Sequence, residues 1–140
     1  MKNNVLTLLL TILLALPCLA NGTVKEINQN QFKQLVGIID GDNWTQTAKR
    51  PCVVDFNADW CGPCRRLAPI LKEVAAMYPG IDFYSVNIDE NPQLAEQLGI
   101  DSIPLLLILP APGKGDPGNI EGFVPKEELI RAIEQTVNGK

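Results

Sequence analysis

In the middle of the chain the hydrophobic pattern changes period abruptly, and two cysteines stand at the change. Cys52-Val53-Val54-Asp55-Phe56 is a near-continuous apolar run with a carboxylate inside it. Strands of that kind are buried on both faces, as in an α/β sheet covered by helices on each side. A few residues later, Leu67, Ile70, Leu71, Val74 and Ala75 follow the spacing of an amphipathic helix. Between the two patterns lies Trp60-Cys61-Gly62-Pro63-Cys64. Cysteines three positions apart sit one turn apart on one helix face. Sulfurs held that close can form a disulfide and release it again. A strand end that leads into a helix start is also where open α/β sheets mount their chemistry.

The flanking segments predict the rest of one domain, which 140 residues are enough to fill. Residues 23–27 read as a short strand, and 28–36 as a helix capped by Asn28 or Asn30. Residues 37–50 are polar and turn-rich and read as a loop or a weak helical turn. The central strand covers 51–57 and the helix after it runs from about Gly62 to Met77, with Pro63 tolerated in its first turn. Residues 82–88 read as a strand and 92–98 as a short helix closed by Gly99. Pro104 to Leu109 is a strongly apolar strand, 119–123 an edge strand, and 125–137 a terminal amphipathic helix with Leu129, Ile130 and Ile133 inward. The order β-α-β-α-β-α-β-β-α predicts α/β architecture with helices on both faces of a mixed sheet.

The first residues carry a different pattern. Lys2 precedes an apolar stretch from Val5 to Leu16, too short for the roughly 18–20 residues of a spanning helix. Small residues follow up to Ala20, so residues 1–20 read as an export signal and residues 21–140 as the domain. Cys18 has two readings: loss with the signal, or a lipid anchor, since Ala15-Leu16-Pro17-Cys18 loosely resembles a bacterial lipobox. The formal charge is −4, and loss of Lys2 makes it more negative. That balance argues against nucleic acid, which wants a basic face. The chain has no histidine, which removes Ser-His and Cys-His catalysis and most zinc sites. Of four cysteines, Cys52, Cys61 and Cys64 remain after the signal. For the Cys61/Cys64 pair a static disulfide is the plain alternative to redox chemistry, and half a zinc site is a weaker one. No metal is expected. Cys52 reads as a small buried hydrophobe.

These residues resemble the thioredoxin family. Val54-Asp55-Phe56, Ala58, Trp60-Cys61-Gly62-Pro63-Cys64 and Ala68-Pro69 match its active-site segment. Val86-Asn87-Ile88-Asp89-Glu90-Asn91-Pro92 resembles its next strand and helix start, and Gly99-Ile100-Asp101-Ser102-Ile103-Pro104 the approach to its cis-proline. Gly122 resembles the glycine near its last strand. The likeness covers roughly residues 23–138. It implies a thioredoxin fold, a central mixed five-stranded sheet flanked by about four helices. With the export signal it implies an extracytoplasmic, periplasm-type bacterial member.

The resemblance also implies roles. Cys61, at the helix N-terminus where a thiolate is favoured, attacks the substrate disulfide. Cys64, one turn in and more buried, resolves the mixed disulfide. Asp55 accepts the proton of Cys64. Trp60, Gly62, Pro63, Ile103 and Pro104 form the substrate surface, and Gly62-Pro63 between the cysteines favours the reducing direction. The dithiol is itself the redox centre, so no cofactor is implied. The expected partners are protein disulfides and a membrane thiol–disulfide electron donor, with the chain a monomer. Disulfide oxidase, isomerase, or a non-catalytic binding module on the same fold are the alternatives. Two positions depart from the family. Asn57 stands where it has tryptophan, and Ser85 falls about where it commonly has a lysine near the buried Asp. Without that cation, Asp55 is expected to titrate higher.

Overall fold

A computed structural model describes residues 22–139. The expected leader, residues 1–20, and the candidate anchor Cys18 lie outside the described residues. In chain order the elements are β1 (Val24–Glu26), α1 (Gln29–Leu35), β2 (Gly37–Asp40), β3 (Asn43–Gln46), β4 (Cys52–Asn57), α2 (Gly62–Met77), β5 (Asp82–Asn87), α3 (Pro92–Leu98), β6 (Leu105–Leu109), β7 (Gly118–Glu121) and α4 (Lys126–Asn138).

Five strands form one sheet in the order β1-β5-β4-β6-β7. β1 and β4 run parallel to β5, whereas β6 runs antiparallel to both β4 and β7. The expected mixed five-stranded sheet with four helices is therefore what the chain forms. β4 is central, and its residues from Cys52 to Phe56 are all buried, which explains the near-continuous apolar run. Alternation along the strand sorts its side chains onto two faces. Val53 joins Leu67, Leu71, Val74, Leu129 and Ile133 in the core that α2 and α4 cover. Cys52, Val54 and Phe56 join Phe32, Val36 and Leu94 in the core that α1 and α3 cover. Full burial of one such leucine or phenylalanine contributes about 1.5–3 kcal/mol, so the two cores hold β4 firmly from both sides.

The short helices depend on their ends. Asn28 caps α1: its Oδ1 accepts from the N–H groups of Asn30 and Gln31, and Gln31 Oε1 accepts from the Asn28 N–H. Gly99 closes α3 in the left-handed region at φ 64°, which glycine enters without steric cost. α2 continues through Pro69 as one helix, and Tyr78 is its C-cap.

The segment 37–50 departs from the loop expected of it. Gly37–Asp40 and Asn43–Gln46 pair as an antiparallel hairpin outside the main sheet. Gly41 takes a positive φ of 57° at the turn. A Cβ at Gly37 would run into the Trp44 ring, so that glycine lets the indole close over its own hairpin. Trp44 also lies 6.2 Å from the Phe32 ring. Each strand is only four residues long and mostly exposed, so neither shows a clear apolar alternation in the sequence.

Candidate active site

α2 begins inside the cysteine motif. Gly62 is its first residue, Pro63 lies in its first turn, and Cys61 is the N-cap. Cys61 Sγ accepts a hydrogen bond from the Cys64 backbone N–H at 3.2 Å. It thereby serves one of the unpaired donors at the helix start, as a serine or aspartate oxygen does elsewhere. Cys61 and Cys64 form a disulfide, with Cα atoms 5.3 Å apart. The two residues are equally buried, at 4% exposed each. The expectation that Cys64 is the more buried of the two is therefore corrected: position on the helix, not exposure, distinguishes them. The turn ahead of α2 is pinned by the Arg65 guanidinium, which donates to the Asp59 carbonyl at 2.8 Å.

The second wall comes from the loop before β6. The Ile103–Pro104 peptide bond is cis, as the resemblance implied. The Ile103 carbonyl lies 3.9 Å from Cys61 Sγ. Pro104 is buried and Ile103 half-buried. The Gly122 N–H donates to the Pro104 carbonyl at 2.8 Å, which ties this loop to the end of β7. Trp60 is 67% exposed, so it is not core. Its indole N–H donates to Asp89 Oδ2 at 2.9 Å, and the Asp89 N–H in turn donates to Asn87 Oδ1. Pro63 is exposed and Gly62 half-buried. Trp60, Gly62, Pro63 and Ile103 thus give an accessible, largely apolar rim to the cysteine pair.

Asp55 is 3% exposed and lies on the β4 face that meets α2, two residues from Val53. It lines one cleft of about 390 Å³ together with Cys64, Asn57, Asp59, Arg65 and Ser85. Burial pushes its carboxyl up to about 6, opposed only by a hydrogen bond from the Asn57 amide. That agrees with the expectation of a high titration once the family's lysine is replaced. In the sequence Asn57 and Ser85 stand out only as replacements. In the structure they bond to each other at 2.8 Å. Asp89 was missed as the partner that fixes Trp60. Cys52 is fully buried, and desolvation, with Asp82 adding to it, pushes its thiol up to about 12. It is a core residue, as expected.

A disulfide at a helix start, facing a cis-proline loop and backed by a buried carboxylate, is the site of a thiol–disulfide oxidoreductase. A family model described as thioredoxin matches residues 23–135. The chain is 43% identical over 111 residues to Thioredoxin 1 of Nostoc sp., covering 79% of this chain and 94% of that protein. It is 37% identical over 103 residues to a thioredoxin of Staphylococcus aureus, covering 72% and 96%. Among solved structures it resembles chloroplastic thioredoxin z with a TM-score of 0.68 at 29% identity, covering 81% and 93%. The chain belongs to the thioredoxin family of protein-disulfide reductases, and Cys61 and Cys64 are its active-site cysteines.

Proposed function

We propose that this chain works in the reducing direction, on protein disulfides outside the cytoplasm. The observation that carries the mechanism is the capping bond. With Cys61 reduced, its sulfur sits where the helix N-terminus and the Cys64 N–H stabilise negative charge. The Cys61 thiolate attacks one sulfur of a substrate disulfide and releases the other as a thiolate. Cys64 then gives its proton to Asp55 and attacks Cys61 Sγ. The mixed disulfide breaks, the second substrate sulfur leaves as a thiolate, and the Cys61–Cys64 disulfide forms. Two electrons pass from the enzyme to the substrate, and the proton on Asp55 returns to solvent or a leaving thiolate. Trp60, Gly62, Pro63 and the Ile103–Pro104 backbone receive the polypeptide around the substrate disulfide.

Outside the cytoplasm the oxidised enzyme must be reduced again by a membrane thiol–disulfide donor. The leader pattern of residues 1–20 supports this location. The mature chain is a monomer, either free after cleavage near Ala20 or held by a lipid on Cys18. The mass of the protein recovered from the producing cell separates those two forms, because only the second adds acyl chains. A mature mass that retains residues 1–20 and no lipid would contradict export by this signal.

Insulin reduction tests the chemistry. Cys61→Ser is expected to abolish turnover. Full activity in that variant would contradict the mechanism, and no activity in the unmodified chain would favour a binding module that merely keeps the fold.

A further inference from the structure

The two carboxylate oxygens of Asp55 have different surroundings. Asp55 and Asn57 alternate onto the same face of β4, and Ser85 is the register partner of Asp55 on β5. The Asn57 amide nitrogen lies 3.0 Å from Asp55 Oδ2 and 2.8 Å from Ser85 Oγ. It also reaches the Asp55 carbonyl at 3.2 Å. An amide NH2 has two hydrogens to donate, so one can serve Asp55 while the other is held by Ser85. Asp55 Oδ1 is buried and has no hydrogen-bond partner among the described residues. Asp55, Asn57, Ser85 and Cys64 all border the same cleft.

We propose that Asn57, braced by Ser85, is a positioning residue for the proton step: it grips Asp55 through Oδ2 and leaves Oδ1 as the atom that receives the proton of Cys64. This deepens the reading above and rests on Asp55 being the acceptor for Cys64. The arrangement is built from neutral groups. The charged and titratable groups around the two clefts at Asp55 are Cys64, Arg65 and Lys72 on α2, Asp59 before it, and Glu26 on β1. β6 supplies only leucine and isoleucine. Against burial, which disfavours the carboxylate, the Asn57 amide is the opposing influence. A hydrogen bond donated to a charged form favours that form. Loss of the amide should therefore leave Asp55 protonated, and unable to accept, to a higher pH.

The resolving step can be watched alone. The reduced full chain is mixed with Ellman's reagent in a stopped-flow instrument. Cys61 takes up one aryl thiol as a mixed disulfide, and the second, first-order release of coloured thiolate reports the attack of Cys64. In the unmodified chain this phase is expected to slow at acidic pH with the titration of Asp55. Asn57→Leu is expected to move that acid limb upward by about one pH unit. The resolving phase then slows about fivefold at pH 6 and progressively less above pH 7. Ser85→Ala should move the limb in the same direction by less, and it carries the test if Asn57→Leu does not fold. A limb that stays in place, or a slowing by one factor at every pH, would overturn the proposal. Asp55→Ala separates the two levels. If the acid limb persists there, the acceptor role fails and the proposal with it. If the limb vanishes there yet is unmoved in Asn57→Leu and Ser85→Ala, the acceptor role stands and Asn57 has no part in it.

Discussion

The backbone N–H of Cys64 donates to Cys61 Sγ across 3.2 Å, so one cysteine caps the helix that carries the other. The bond gives the sulfurs unequal chemistry at equal burial. Cys61 receives the positive end of α2, whereas Cys64 sits one turn inside it. In the proposed mechanism the attacking role therefore falls to Cys61 and the resolving role to Cys64.

Cys64→Ser is accordingly expected to stop after the first attack. It should accumulate a mixed disulfide between Cys61 and the substrate, visible as a mass shift that a reductant reverses. Multiple turnover should fall by about a thousandfold or more. The double variant lacking Cys61 should form no such adduct. An adduct on Cys52 instead would contradict the assignment, because burial keeps that thiol protonated.

Asp55 should leave a signature in stability as well as in rate. Its folded carboxyl titrates near 6 instead of the usual 3.8, with burial the main cause. Between those values the folded chain keeps a proton that the unfolded chain has released. The group's contribution is thus fully present below about pH 4 and is lost as pH rises through 6. At pH 7 the buried carboxylate costs about 2–3 kcal/mol. Asp55→Asn is expected to stabilise the disulfide form by about that amount at pH 7 and hardly at all at pH 4. Denaturant unfolding at the two pH values measures it, and a gain that is the same at both would contradict burial of an ionisable acid.

Trp60 is exposed but tethered through Asp89, the arrangement expected of a docking surface and not of a core residue. Trp60→Ala should raise KM for a protein substrate by about three- to tenfold while leaving the first-order resolving phase within about twofold. Asp89→Asn should do the same more weakly. If the resolving phase falls and KM holds, Trp60 acts on the chemistry and not on docking.

Much of this was legible in the sequence where one physical signal dominated. β4 and α2 follow from a change of hydrophobic period, and the limits of α2 fall at Gly62 and Met77 as expected. The hairpin 37–46 was not legible. Its strands are short and mostly exposed, and Trp44 closes over Gly37. A signal existed in the Gly41-Asp42 pair between Ile38-Ile39 and Trp44-Thr45, since such a dipeptide between short strands marks a two-residue turn. At the site, the cysteines, Asp55 and the cis bond before Pro104 could be placed from the residues and their resemblance. The Asn57–Ser85 contact could not. It depends on the β4–β5 register that sets Asp55 opposite Ser85, and register is a tertiary property.

The direction of the reaction is the central claim, and the reduction potential of the Cys61–Cys64 pair tests it most directly. Equilibration with a glutathione redox buffer, followed by acid quenching and thiol counting, gives the value. A dithiol reductant should lie near the roughly −270 mV usual for thioredoxins. A potential above about −180 mV, in the range of disulfide isomerases and oxidases, would contradict it.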